Sequence, residues 1–446
     1  MDVLICGAGE VGRHAAEVLT AKSNNITVID RDPEKLALLD DELDVRSMVG
    51  NGAQAQVLAE AGCAKADLFV AATHIDEINV LSAAIAKGVG AAKCIARVHH
   101  SAYLEQRGLD YRGYLGIDHL LCPEYSTALA IAATLRSPGA LAVENVARGK
   151  VEMQQWPVSH DARAVGTMLR DLAIPGRGRV VAVQRQTSAF LPEADTILNV
   201  GDIVTLIADA KDFDKIRALF HTEKLGRRRV IILGGTAQSV WLCRALRPRG
   251  FSVRLFEPDE DRAQELAAKL SWVTVLNSDA VHTDAMETER VDQADAFVAL
   301  TSDDEQNILA AARAKSLGAS QAIAVLQRPT YLHLLEHVGI DRAFSPRVTA
   351  VAEIERMLDV GLIRQLASLA KGAVEVFEVR VSHTAREVVN RRLREITFPA
   401  RCIIAAIQRG QDQAFVPGAD MTIEVADTLI LIGPSSVRNE LEKIFS

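Results

Sequence analysis

No apolar run in the chain approaches the roughly 18 residues that a membrane-spanning helix needs. The best candidate, Ala128–Leu135, is far too short. An apolar strand pattern starts at Val3, which leaves no room for a signal peptide, so the expected location is cytoplasmic. Positive charge is not in excess either: 50 Lys and Arg stand against 58 Asp and Glu, a net charge of −8. That balance disfavours nucleic acid as a partner. Arg227–Arg229 and Arg391-Arg392 are too short to alter it, and Arg227–Arg229 reads as a solvated domain junction. The six cysteines form no CxxC pair and no zinc-like spacing, so they read as small core residues in a reducing compartment. With 49% hydrophobic and 24% charged residues, the 446-residue chain has a globular composition, enough for about three to four domains.

The organising stretch is Val3–Gly12. An apolar run meets Gly7-Ala8-Gly9-Glu10-Val11-Gly12, a helical pattern follows from Arg13 to about Lys22, and Asn25–Asp30 reads as a second strand ending in a carboxylate. Strand, glycine turn, helix, strand and acid form the dinucleotide-binding fingerprint in its expected context. Gly7 permits the tight turn, Gly9 the approach of a phosphate, and Gly12 close packing of the helix. The free N–H groups at the helix start attract phosphates. Asp30 would accept from ribose hydroxyls and disfavours a 2′-phosphate, which speaks against NADP. Arg31 would stack on adenine or be solvated. The bland alternative is a doubly wound sheet that kept the turn and lost the ligand.

Further along, Asp32-Pro33-Glu34 starts a helix, Val45–Val49 is a short strand, and Ala53–Ala61 is helical. Ala66–Thr73 is a buried strand, Glu77–Gly88 a helix and Lys93–Val98 another strand. This alternation predicts a doubly wound parallel sheet. Thr73 and His74 fall at its carboxyl edge, where ligands bind. Arg97 would reach a phosphate with its planar fork or make an ordinary ion pair.

The chain then repeats itself. Val230–Gly235 matches Val3–Ala8, Arg254–Glu257 matches Thr27–Asp30, and Ala294–Thr301 matches the run ending at Thr73. Val158-Ser159-His160 returns as Val381-Ser382-His383, and Asp202–Ile207 as Asp427–Ile432. The expected organisation is a Rossmann-like domain at 1–122, a connector helix at 123–145 and a small α+β domain at 146–226. The second copy follows as 227–345, 346–370 and 371–446. Both connectors are apolar on more than one face, which suits an interface or burial within their own domain.

Duplicated glycine-turn domains, each followed by a connector helix and a small βαβ-type domain, resemble the regulator-of-potassium-conductance (RCK) family. The likeness rests on CGAGEVG at Cys6–Gly12, VID ending at Asp30, VGNGA at Val49–Ala53, AAT at Ala71–Thr73 and IAR at Ile95–Arg97, and it covers essentially the whole chain. It implies a non-catalytic regulatory subunit that binds NAD or NADH, with ATP and ADP as further candidates. It also implies a ring, a homotetramer, docked under an integral membrane potassium-translocating subunit on the cytoplasmic face of the inner membrane. Nucleotide binding would change the ring's shape and gate uptake. Gly7, Ala8, Gly9, Glu10, Val11, Gly12, Asp30, Arg31, Asn51, Thr73, His74 and Arg97 would surround the first nucleotide.

The second site would use Gly234, Gly235, Thr236, Glu257 and Thr301, but it departs from the pattern. Thr236 replaces Gly9, Ser239 replaces Gly12, and Val325 replaces Arg97. We expect it to be weaker, differently occupied or structural. Three other patterns compete for attention. His333-Leu334-Leu335-Glu336-His337 fits H-x-x-E-H, with its histidines on one helix face, but lacks the peptidase context and a counterpart in the first copy. His99-His100 reads as a solvated pair at a strand end. Ser159-His160 and Ser382-His383 have no acid to complete a triad and read as helix starts. A nicotinamide-dependent dehydrogenase is the alternative function. It would need a substrate domain with a general acid or base, and the small duplicated domains are poor in such groups.

Overall fold

Apolar runs that alternate with amphipathic helices can bury both faces of a parallel sheet, and the first copy does so. Strands β1 (Asp2–Cys6), β2 (Asn25–Asp30), β3 (Arg46–Val49), β4 (Leu68–Ala71), β5 (Lys93–Arg97) and β6 (His119–Leu121) lie parallel in the order β3-β2-β1-β4-β5-β6. Helices α1 (Glu10–Thr20), α2 (Pro33–Glu42), α3 (Ala55–Glu60), α4 (Asp76–Val89) and α5 (Tyr111–Leu115) connect them, and α6 (Pro123–Arg136) follows. Successive side chains point to opposite faces. Val3, Ile5, Val28 and Val70 therefore pack with α1 and α2, while Leu4, Cys6, Ile29 and Phe69 pack with α4. The structure is a computed structural model. It describes residues 1–446 apart from 105–108, 137–141, 147–150, 177, 187, 210, 221–226, 248–249, 280–284, 359–362, 370–373, 400–401, 411–412 and 446.

Next come β7 (Ala142–Val146), β8 (Val151–Pro157), β9 (Arg179–Arg185), β10 (Ser188–Phe190) and β11 (Ile203–Asp209), an antiparallel sheet in the order β10-β9-β11-β8-β7. Helix α7 (Phe213–Phe220) covers it with Phe213, Ile216 and Phe220. The second copy repeats the parallel sheet with β12 (Arg228–Leu233), β13 (Phe251–Phe256), β14 (Thr274–Leu276), β15 (Ala296–Ala299), β16 (Ala322–Val325) and β17 (Arg342–Phe344). Its helices are α8 (Ala237–Leu246), α9 (Glu260–Lys269), α10 (Ala285–Thr288), α11 (Asp304–Leu317) and α12 (Pro346–Leu358). The last sheet holds β18 (Ile363–Leu369), β19 (Val374–Arg380), β20 (Ile403–Arg409), β21 (Gln413–Phe415) and β22 (Thr428–Gly433), with α13 (Arg438–Phe445) behind it.

The order of domains along the chain is not their grouping in space. Residues 1–132 and 227–359 form one compact unit, and 133–226 with 360–446 form the other. Each unit joins like with like. In the first, α12 lays Ala350, Val351 and Ile354 against Val11, Ala15 and Leu19 of α1. In return, Tyr125 of α6 sets its ring 4.7 Å from that of Trp241 on α8. Both connector helices therefore serve an interface, between the two copies of the parallel sheet. In the second unit, Val151, Met153 and Val181 share a core with Val374, Val376 and Ile430. One device recurs in both small sheets: buried Asp202 and Asp427 each take a two-pronged Arg, Arg185 or Arg409, through Nε at 2.9 Å and Nη2 at 2.8 Å.

Three local expectations change. In the connectors 123–145 and 346–370 the described helices run to Arg136 and Leu358, and β7 and β18 lie further along because those residues pair with β8 and β19. Helix α1 begins at Glu10 rather than Arg13, since Gly9 is already its extended N-cap. Ser159 and Ser382 start no helix; Ser159 Oγ instead donates to the Phe220 carbonyl at 3.0 Å, closing the domain's end. Among the described residues no helix is long and apolar enough to cross a membrane.

Candidate functional site

The site begins where β1 ends. Gly7 sits at φ +109°, and a Cβ there would lie 2.8 Å from the Thr73 amide nitrogen. Only glycine allows this conformation and this approach of two strand ends. A Cβ on Gly12 would lie 1.9 Å from the Gly7 carbonyl oxygen, so α1 packs closely over the turn. The Asp30 carboxylate reaches back to this turn. Its Oδ2 accepts from the Ala8 amide at 2.6 Å and its Oδ1 from the Asp32 amide at 2.9 Å. The acid read as a ribose acceptor thus also fixes the turn, and its remaining lone pairs are what a ribose would meet.

Across the switch point, Thr73 is held by Asn79, a fully buried residue on α4. Asn79 Oδ1 accepts from the Thr73 amide at 2.8 Å and from its hydroxyl at 2.7 Å, while Nδ2 donates to the carbonyls of Thr73 and Arg97, both at 3.0 Å. The Thr73 hydroxyl proton is therefore engaged, and toward a ligand this group is an acceptor. Asn307 repeats the arrangement on Thr301 and Val325. Sequence reasoning passed over Asn79, although its recurrence beside a strand-end threonine in both copies was a usable signal. Replacing Asn79 with Ala should lower stability by about 2–4 kcal/mol, because four hydrogen bonds are lost and buried partners are stranded. Denaturant unfolding of the full chain would read this; a midpoint equal to the parent's would sink the assignment.

The loop after β5 is tied to Asp76, the first residue of α4. The amides of His99 and His100 donate to its carboxylate at 2.8–3.0 Å, and the His99 ring lies 2.8 Å away. Burial alone would raise this carboxyl, but the bonds from His100 and His99 outweigh it and hold its pKa below the ordinary value. His99 is thus half-buried structure rather than a solvated residue. Arg97 enters the site 3.4 Å from Glu124 at the start of α6, and its Nε is buried with no hydrogen-bond partner among the described residues.

These groups line a cavity of about 540 Å³. Of the residues expected in the first site, Gly7, Gly9, Glu10, Val11, Asp30, Arg31, Asn51, Thr73, His74 and Arg97 face it. Ala8 and Gly12 stand behind, shaping the turn. Sequence reasoning missed Cys6, whose burial pushes its thiol up to about 11, and Lys35 and Glu124. It also missed Gln327, Pro346 and Arg347, which come from the second copy. Arg347 forms an ion pair with Glu10, and burial lowers its pKa.

The second glycine turn is furnished differently. Gly234 keeps its positive φ, and Glu257 accepts from the Gly235 amide at 2.7 Å. Thr236 caps α8 by accepting from the Ser239 amide, and the Ser239 hydroxyl donates to the Gly234 carbonyl. Arg262 Nε donates to the Gly235 carbonyl at 2.8 Å. Of these bonds, the one from the Ser239 amide to Thr236 engages an N–H that a phosphate-binding helix start leaves open, while those of Ser239 and Arg262 go to carbonyls. The H-x-x-E-H segment lies in a 3₁₀ helix, Pro329–Val338, in which residues four apart do not share a face; the side chains of 333–336 are outside the described residues.

A parallel sheet in this strand order, with its glycine turn, terminal acid and cavity at the switch point, defines a nucleotide-binding Rossmann domain. The chain carries this sheet order and glycine turn twice, with the cavity at the first. The TrkA-N domain family matches residues 3–123 and 230–346, and the TrkA-C domain family matches 153–221 and 376–446. The Trk system potassium uptake protein TrkA homolog of Archaeoglobus fulgidus is 34% identical over all of both chains. The Trk system potassium uptake protein TrkA of Haemophilus influenzae is 31% identical over all of this chain and 98% of its own. Among solved structures, the GsuK channel bound to NAD matches all of this chain and 78% of its own, with a TM-score of 0.62 at 16% identity. The GsuK RCK domain matches with a TM-score of 0.61 at 18% identity. The chain belongs to the TrkA family, and its fold is that of the GsuK RCK domain.

Proposed function

We propose that this chain is a non-catalytic regulatory subunit. It binds NAD or NADH, or ATP or ADP, at the first-copy site and gates a membrane potassium uptake protein of the TrkH/TrkG type. The observation that carries this reading is the cavity itself, whose wall combines the first glycine turn with Gln327, Pro346 and Arg347 of the second copy. An occupant therefore touches both halves of the unit and can bias their arrangement, which is what a regulator needs and a single active site does not. The names of the family relatives support the potassium role, and the NAD-bound and ADP-bound GsuK structures support the ligand class. The protein would work as a ring, a homotetramer, on the cytoplasmic face of the inner membrane. The second site would be the weaker one, because Thr236 already takes the Ser239 amide at its helix start and Val325 stands where the first copy has Arg97.

The test is potassium flux through the reconstituted membrane partner with this chain bound. Flux is expected to change severalfold on adding NADH or ATP, and no hydride transfer from NADH is expected in the same sample. Steady oxidation of NADH coupled to a small carbonyl substrate would favour the dehydrogenase reading instead.

A further inference from the structure

Two repeat-related positions meet at the cavity with opposite charge. Pro123-Glu124 opens α6 and Pro346-Arg347 opens α12, and all four residues line the cavity. The two cations among Arg97 and Arg347 are each about one-sixth exposed, at 16% and 15%, and each rests on a glutamate. Arg97 leans on Glu124 at 3.4 Å with its Nε unpaired, and Arg347 pairs with Glu10. Glu10 is the first residue of α1 and is 71% exposed. It stands beside the N–H groups to which a phosphate would come.

We propose that Arg347, supplied by the second copy, is a phosphate ligand of the first-copy nucleotide site, with Glu10 holding its place until the nucleotide arrives. This rests on the reading of that site as nucleotide-binding. A guanidinium presents five donors in a rigid fork and takes phosphate as readily as carboxylate. Exchanging Glu10 for phosphate trades an exposed partner for a more highly charged one bound at the helix start, where the dipole adds to it. The exchange has a mechanical consequence. Arg347 begins α12, whose apolar face lies on α1, so the nucleotide on the first turn would also hold the helix of the other copy.

The sign of two substitutions separates this from a purely structural ion pair. Calorimetric titration of the full chain with ATP, and separately with NAD, at fixed salt is the measurement. Arg347→Ala is expected to weaken ATP binding at least tenfold, Arg347→Lys to recover part of that, and Glu10→Gln to leave affinity equal or higher. If Glu10→Gln weakens binding as much as Arg347→Ala does, the ion pair is structural and the inference falls. It also falls if Arg347→Ala binds ATP as the parent does. A parent chain that binds neither nucleotide, or a Gly9→Asp chain that binds like the parent, would overturn the site reading itself.

Discussion

A chain carrying Gly9→Asp is expected to fold as the parent does and to lose at least a hundredfold in nucleotide affinity. The two halves of this expectation have separate causes. Gly9 is extended, at φ −72° and ψ −176°, and a Cβ built on it meets nothing within 4 Å. Aspartate is a favoured N-cap, so the helix gains a partner for one of its free amides. The same carboxylate then occupies the mouth of the phosphate position. Two like charges about 4 Å apart repel by about 4 kcal/mol at an effective dielectric of 20, more than the roughly 2.7 kcal/mol that a hundredfold needs. Thermal unfolding with and without NAD, beside direct titration, separates the effects. Retained affinity would mean that no phosphate sits on this turn.

Gly12→Ala should do the reverse and damage the fold first. The new methyl would fall 1.9 Å from the Gly7 carbonyl oxygen, a backbone atom that cannot step aside as a side chain could. Helix α1 must then lift from the sheet. Overpacking of this kind costs about 1–3 kcal/mol, and this clash belongs at the upper end or beyond. Because α12 packs on α1, the damage should spread to the contact between the two copies. Ser239→Gly at the matching place in the second copy removes a CH2OH group whose hydroxyl bonds the Gly234 carbonyl and puts glycine in the first turn of α8, and about 1–2 kcal/mol is expected. Urea unfolding of the two variants compares them directly. Equal midpoints would show that α1 has room to spare, contrary to the geometry.

Much of this architecture was legible because it depends on local pattern. The apolar runs at Val3, Asn25–Asp30, Ala66–Thr73 and Lys93–Val98 each hold a strand of one parallel sheet, in the order that puts Gly7 and Thr73 side by side. The repeat made the second sheet readable by the same marks, and the cavity formed around ten of the first-site residues named from sequence. The misreadings were at junctions. β7 and β18 were hidden in the connectors because pairing across a sheet, not their own periodicity, makes them strands. The second role of Asp30 is not legible in the sequence, because its bond to the Ala8 amide exists only once the turn is folded.

By itself, the sequence determined the two nucleotide-type folds, the position of the first glycine turn and the divergence of the second at Thr236 and Ser239. These follow from spacing, strand periodicity and the steric needs of glycine, all of which act over a few residues. The tertiary structure alone decided that the copies pair like with like and that α12 crosses to α1. It also placed Arg347 of the second copy in the cavity of the first. Those facts depend on which apolar faces find each other across more than 200 residues of chain, as Leu19 and Ala15 do with Val351 and Ile354. Side-chain periodicity identifies a face to be buried, but the partner is chosen by shape complementarity between complete surfaces.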